Sequence, residues 1–325
     1  LFTYKDDIGL PLAVWLAASS DYDLASSKKI ISGTSLQKPI KSIILSNRVQ
    51  EAPVEVDILE LVSSKLGTAV HDAVERAWLF KAQEALKALG YSDKLINRIV
   101  INPVFEKEYP TDAIFVHIEK RTNKEVYGYT ISGKFDLVFD GELYDIKTTQ
   151  TYNYISGSNV NNYIKQGSIY KWLNPNIITS DILNINYLFT DWKPYEAERS
   201  KDYPQTRVLV KQYPLMSIEE TEEYIKNKVN LVDMYIDADQ KDIPECPLEE
   251  LWPEETKWAY YKNPNNLKRA TKLFTSELEA NQKKMMDNSS GVVIKRPGQV
   301  KRCHYCAAKP ICLQAEQLKE QGLLK

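Results

Sequence analysis

The sequence predicts an α/β fold in which helices flank a mixed β-sheet. A long stretch with helical periodicity, residues 57–90, is followed by short runs of strand-like alternation, then a second helical stretch and more strands. That order of helix, strands, helix, strand suits an α/β sandwich with a mixed sheet. Near Asp242 the composition turns richer in Pro, Trp, Lys and Cys, which predicts a small C-terminal module. The expected division is an N-terminal helical preamble over 1–56, a core over 57–240, and a cysteine-containing module over 241–325 packed on that core.

Within the preamble, "LPLAVWLA" reads as an apolar helix and "IISGTSLQKPIKSIILSNRV" leads to another. In the long helix Leu66, Val70, Ala73, Val74, Ala77 and Trp78 form one stripe, and Gly90 makes a stop. Strand-like runs follow: "RIVINPVFEKEY", "TDAIFVHIEK", "EVYGYTISGKFDLVFD" and "ELYDIKTT", with "RTNK" expected as a turn. Asp140-Gly141 is suited to a two-residue hairpin turn, because both positions tolerate positive φ. The register would then set Phe139 opposite Glu142, Val138 opposite Leu143, Leu137 opposite Tyr144, and Asp136 opposite Asp145. A helix is expected over 159–173, then strands in "ILNINYLFTDW" and "TRVLVKQY", and an amphipathic helix over 216–239. In the tail, a helix near 275–287 and a strand "GVVIKRP" precede the cysteines.

Alternation along that hairpin gathers Phe135, Leu137, Phe139, Tyr144 and Ile146 on one face, built for a core. Asp136, Asp145 and Lys147 share the other, with the acidic pair about 5 Å apart, where like charges destabilise a sheet. A divalent cation between them would remove the penalty. On this reading Asp136→Asn is expected to raise the melting temperature of the metal-free protein.

The chain of 325 residues is 43% apolar and 26% charged, with 42 basic and 44 acidic residues and a net charge of -2. No global basic signature announces a polyanion partner, although a local basic patch would be masked in the total. No apolar run approaches the roughly 18 residues of a membrane span, so no membrane partner is expected. The setting reads as intracellular. Of four cysteines, Cys246, Cys303, Cys306 and Cys312, the last three crowd into "CHYCAAKPIC". In an intracellular chain this clustering points to metal more than to disulfides. Four thiolates can hold [4Fe-4S] or tetrahedral Zn²⁺, and the spacing leaves both open.

Other candidates fall in order along the chain. "GTAVHDAVERAW" places His71 and Glu75 one helical turn apart. His71, Asp136 and Asp145 together make a hard, open site for Mg²⁺ or Mn²⁺. Lys147 beside them can orient the attacking water and stabilise charge on a phosphate. Gln166 and Tyr170, one turn apart in "QGSIY", suit contact with the same site or substrate.

This arrangement resembles the PD-(D/E)XK nuclease superfamily, in its RecB-like branch, through "GTAVH", "GKFD", "DIK" and "QGSIY". The resemblance implies a restriction-endonuclease-like core. It also implies that His71, Asp136, Asp145 and the backbone carbonyl of Ile146 bind metal, and that Lys147, with Asp136 and Asp145, is catalytic. Gln166 and Tyr170 would support the site or DNA, with Glu75 a weaker outer candidate. The segments "LAVWLAASSDYDL", "ISGTSLQKPIKSIILSNRV", "IPECPLEELWPEETKWAYYK" and "IKRPGQVKRCHYCAAKPIC" resemble phage-encoded RecB-like exonucleases, extending the likeness to nearly the whole chain.

Cys303, Cys306 and Cys312 resemble the C-terminal ligand triplet of iron-sulfur members, which favours a [4Fe-4S] cluster over structural Zn²⁺. The sequence departs from those members in "QKPIKS", which lacks their first cysteine; Cys246 is left to close the site, His304 being a poorer candidate. The implied activity is a metal-dependent DNA exonuclease that processes linear double- or single-stranded ends for recombination or repair. It would work in the cytoplasm of a bacterial host, with a single-strand annealing recombinase as an expected partner. The alternatives are a structure-selective or restriction-type endonuclease, and a non-catalytic DNA-binding module that retains the fold.

Overall fold

The computed structural model describes residues 2–3, 8–18, 29–49, 56–104, 108–288 and 290–325. Residues 19–28 and 50–55 of the expected preamble, and 105–107 of the first strand-like run, lie outside the described residues. The chain forms two compact units: the described residues up to 37 and from 56 to 230 make one, and those of 38–49 and 231–325 make the other.

The chain opens with β1 (Phe2–Thr3), α1 (Leu10–Ala17), β2 (Ile30–Ser32) and α2 (Gly33–Leu36), then α3 (Ile40–Ser46) of the second unit and β3 (Val56–Asp57). Ser32 caps α2 by accepting from the Ser35 amide at 3.0 Å. The long helix α4 (Val62–Ala88) follows a single 3-10 turn and ends beside Gly90, whose φ of 88° supplies the left-handed stop that its sequence predicts. Next come α5 (Asp93–Ile96), β4 (Ile99–Ile101), β5 (Ile114–Ile118), β6 (Arg121–Val126), β7 (Tyr129–Lys134), β8 (Leu137–Phe139) and β9 (Glu142–Thr149). The unit continues with α6 (Thr151–Ser156), α7 (Val160–Leu173), β10 (Ile182–Phe189), α8 (Pro194–Arg199), β11 (Val208–Pro214) and α9 (Ile218–Tyr235).

The main sheet has the order β11-β10-β9-β8-β5-β4 and is mixed: β9 with β10 and β4 with β5 run parallel, the remaining pairs antiparallel. A smaller sheet orders β2-β7-β6. The β8/β9 hairpin has the expected register at Leu137–Tyr144, Val138–Leu143 and Phe139–Glu142, with Asp140 at φ 48° and Gly141 at φ 82°, and the ladder stops short of Asp136, so the expected Asp136–Asp145 pair is not part of it. Two expectations around it are corrected. "RTNK" is not a turn: Arg121 to Lys124 pair along β7 opposite Lys134 to Ile131, and the reversal falls at Tyr127-Gly128, both at positive φ. Phe135 does not share a face with Leu137, because the chain bends at Asp136 as it leaves the smaller sheet for the larger one. The bend shifts the alternation by one, so Phe135 packs with Val138, Leu143 and Ile185, while Leu137, Phe139 and Tyr144 pack with Val116, Ile118 and Trp78.

Both faces of the hairpin are therefore covered. Helix α4 reaches one face through Trp78, 6.2 Å from the Phe139 ring, yet its expected stripe is only partly buried, with Leu66 40% exposed. Helix α7 buries Ile169 and Tyr170 on the other side. It lies close because Gly167 has no side chain: a Cβ there would sit 2.9 Å from the Leu215 side chain.

In the second unit β12 (Lys257–Tyr261), β13 (Lys272–Phe274), α10 (Glu277–Met286) and β14 (Val292–Arg296) precede α11 (Leu313–Glu320), and the strands form a sheet of order β13-β12-β14. Ile44 and Leu45 of α3 pack with Ile243 and Ala308. Arg48 donates to the carbonyls of Tyr235, Ile236 and Ala238 at 3.2, 2.8 and 2.7 Å, which caps the end of α9.

Candidate active site

The bend at Asp136 places its carboxylate between α4 and β9. Oδ2 accepts from the Ile146 amide at 2.8 Å, and Oδ1 lies 3.4 Å from His71 Nδ1 on α4. Glu119, at the corner between β5 and β6 with φ 50°, brings Oε1 to 4.0 Å from the same imidazole nitrogen, and its other oxygen pairs with Lys134. One donor atom each from His71, Glu119 and Asp136 lies within 4.8 Å of the others, a group that can hold a metal ion. Sequence reasoning missed Glu119. Its only signal was an acid at the end of a strand run, and "RTNK" read as the turn hid the corner it occupies.

Asp145 and Lys147 project together from β9, as their spacing predicts. The ammonium lies 2.7 Å from Asp145 Oδ2 as an ion pair without the alignment of a good hydrogen bond, and that oxygen has no other partner among the described residues. Asp145 stands beside the three-donor group rather than within it. Lys147 Nζ also donates to Gln166 Oε1 at 3.2 Å, Gln166 Nε2 donates to the Tyr170 hydroxyl at 2.8 Å, and the Tyr163 ring centre is 5.3 Å from the ammonium. The one-turn spacing of Gln166 and Tyr170 thus makes a relay that orients Lys147. Glu75, one turn from His71, is half-buried and makes no hydrogen bond or ion pair with a described residue.

Charges divide unevenly across this cluster. Burial, reinforced by Asp136 and only partly offset by Lys147, pushes the Asp145 carboxyl up to about 6. Burial acts on Asp136 too, but the hydrogen bond and charge of His71, with Lys147 and the Ile146 amide, outweigh it and hold that carboxyl below its ordinary range. The Asp136 hydrogen bond, against burial, raises His71. Burial raises Glu119 despite Lys134. Burial would lower Lys147, and the two aspartates reverse it, so the ammonium stays charged. The expected gain in stability from Asp136→Asn is therefore corrected: the repulsion falls on Asp145, while Asp136 has compensating partners.

In the second unit all four cysteines line one cavity of about 30 Å³, together with Lys41, Ser42, Leu45 and Gln314. Gln314 fixes the Cys246 backbone at both ends, accepting from its amide and donating to its carbonyl at 2.9 Å each. Ser42 Oγ lies 3.3 Å from Cys306 Sγ. The thiols are free, and burial, then the neighbouring cysteines, push the Cys246 thiol up to about 12. Lys41 is buried in the wall and makes no hydrogen bond or ion pair with a described residue. His304 is exposed and outside that wall.

No family model matches the chain, and no curated protein matches it. Among solved structures it is similar to SSO0001, at 16% identity and a TM-score of 0.40 over 74% of this chain and 98% of that one. It is also similar to a phage related exonuclease from Haemophilus somnus 129PT, at 15% identity and a TM-score of 0.29 over 64% of this chain and 93% of that one. Likenesses this distant carry no argument about function, which rests on the site itself. No helix among the described residues is long and apolar enough to cross a membrane.

Proposed function

We propose that the chain is a metal-dependent DNA exonuclease of the PD-(D/E)XK type. The observation that carries the reading is the close grouping of His71, Glu119 and Asp136 beside the buried Asp145–Lys147 pair. The succession α4, β5, β8, β9, α7, β10 supports a restriction-endonuclease-like core. His71, Glu119 and Asp136, with Asp145 adjoining, would hold Mg²⁺ or Mn²⁺; when bound, the ion would stabilise charge on the phosphate and acidify water. Lys147 keeps one ammonium beside the place where phosphate charge grows and directs water toward it. Gln166 and Tyr170 fix that ammonium's direction, and Asp145 keeps it protonated. The substrate in this reading is the end of a linear DNA, in the cytoplasm of a bacterial host, with a single-strand annealing recombinase as partner.

Linear and covalently closed circular DNA, each incubated with the protein and Mg²⁺ or Mn²⁺, test this. Linear DNA is expected to shorten while circles survive. Cut circles would replace the reading by an endonuclease, and two intact substrates by a binding module.

The cysteine site fits a bound metal: four thiols face one cavity, and buried Lys41 supplies a counter-charge for an anionic thiolate assembly. A single tetrahedral Zn²⁺ with Zn–S of about 2.3 Å needs sulfurs about 3.8 Å apart. The wider [4Fe-4S] cluster on Cys246, Cys303, Cys306 and Cys312 is the choice in this reading, by the resemblance of the Cys303, Cys306 and Cys312 triplet to that of iron-sulfur members. Its role would be structural. Anaerobically purified protein is expected to be brown with broad absorption near 400 nm, roughly where iron-thiolate charge transfer falls; a colourless sample with stoichiometric zinc would overturn the choice.

A further inference from the structure

Charge along the chain is not spread evenly. Residues 257–302 contain eleven Lys and Arg against three Asp and Glu, a local charge of +8 within a chain of net charge -2. This run builds the β13-β12-β14 sheet, with the 262–271 loop joining β12 to β13. Lys262, Lys268, Arg269, Lys272, Lys295 and Arg296 are all exposed, and none is in an ion pair with a described residue.

Register says how the sheet presents them. Trp258 pairs with Phe274 on one side and Lys295 on the other, and Tyr260 pairs with Lys272, so these five side chains share a face. Three of the four aromatic rings on these strands already carry a cation, with Lys295 5.8 Å from the Trp258 ring centre, Lys272 4.9 Å from Phe274 and Arg296 5.7 Å from Tyr261, and the fourth, Tyr260, is fully buried. Such stacking seats each cationic head against a ring while Lys272, Lys295 and Arg296 stay exposed to solvent. At the end of β12 an open groove is lined by Lys257, Lys295, Arg296 and Lys325. The acidic members of its wall, Glu254 and Glu255, are already paired with Lys301 and Lys257 at 2.7 and 3.0 Å.

We infer that this sheet and its loop form a second DNA contact, distinct from the site of hydrolysis, that binds the phosphate backbone of duplex DNA without reading sequence. Charge complementarity selects a polyanion. The covered rings select duplex over single strand, because a single-strand platform needs free aromatic faces on which bases stack. The inference rests on the reading of DNA as substrate for its choice of polyanion.

The test uses the full chain in EDTA, where cleavage is silent, and measures binding to a short duplex across a salt series. The variant combines Lys268→Gln, Arg269→Gln and Lys295→Gln, all exposed positions. It is expected to bind roughly 10–100-fold more weakly near physiological salt and to lower the slope of log K against log salt by about 3, near 0.9 per lost phosphate contact. Two duplexes of unrelated sequence should bind alike, and a matching single strand more weakly.

An unchanged slope would overturn the inference, as would tighter binding of the single strand. So would displacement by polyglutamate through these residues with duplex binding intact, which would make the surface a site for an acidic protein. A wild-type chain that binds with the expected slope yet cuts nothing would count against the nuclease reading alone.

Discussion

Lys147→Ala is expected to slow hydrolysis of linear DNA in Mg²⁺ or Mn²⁺ on the order of 10³-fold, the scale of removing one preorganised charge from beside a reacting group. The ammonium is held by Asp145 at 2.7 Å and Gln166 at 3.2 Å, so it is positioned before substrate arrives. Its removal also strands a buried carboxylate, and the variant should melt lower. Asp136→Asn separates the two effects. It keeps the shape of the side chain and should cost activity on a similar scale by weakening the three-donor group. Because its folded-state value lies below the ordinary 3.8, Asp136 adds stability that is present above about pH 4 and lost as pH falls through the lowered value. The metal-free Asn variant should therefore melt below wild type at pH 7, with the gap closing in strong acid. Full cleavage by both purified, folded variants would sink the assignment; a raised melting temperature for Asp136→Asn would contradict the charge division described for the site.

Manganese is expected to stabilise the first unit strongly near pH 8 and weakly near pH 5. A ligand at a hundred times its Kd adds about 2.7 kcal/mol, which for a unit of this size corresponds to a rise of roughly 5–10 °C. The pH trend follows from the donors. His71 must be neutral to bind metal, and its value lies above the usual 6.5; Glu119 is also raised, and Asp145 reaches about 6. Protons therefore compete with the ion from around pH 6, where Asp145 titrates, to above the usual histidine value of 6.5. In the metal-free protein Asp145 acts oppositely: its folded value exceeds 3.8, so its unfavourable contribution grows between about pH 4 and 6 and is complete above that. Glu119→Gln should weaken cation binding about 10–100-fold. Thermal melts with and without Mn²⁺ at the two pH values decide this; equal shifts at both, or a Glu119→Gln protein with the full shift, would exclude Glu119 and His71 as ligands.

The sequence made some of this legible because the decisive chemistry was local. Asp140-Gly141 declares positive φ at both turn positions, which set the hairpin register and the shared direction of Asp145 and Lys147. The spacing of Gln166 and Tyr170 needed only a helix. Glu119 was illegible because its corner depends on a non-glycine residue at positive φ, held by the meeting of two sheets rather than by its neighbours in sequence. Phe135 was misplaced for a related reason: alternation is a rule for one strand, and Asp136 marks a change of sheet. The tail hid β12 and β13 because "KWAYY" and "KLF" are short, aromatic and lysine-rich, a pattern that reads as irregular chain until pairing partners are known. Cys246 was legible as the one cysteine left to join the other three, but the wall that Lys41 and Ser42 add was not, since it comes from the far end of the sequence.

That interleaving governs the order in which the protein can be made. Ile44 and Leu45, 0% and 1% exposed in the finished unit, are synthesised before all of residues 56–230, whereas their partners Ile243 and Ala308 come afterwards. On a ribosome the first unit can close around its own sheet while α3 waits as an unsatisfied apolar segment, and Arg48 has no carbonyls to cap until α9 is complete. The second unit is thus the late, high-contact-order step of folding. A truncation at residue 230 would leave α3 as a permanently unpaired apolar helix, and expression of 231–325 alone would omit the stretch of chain that completes its core.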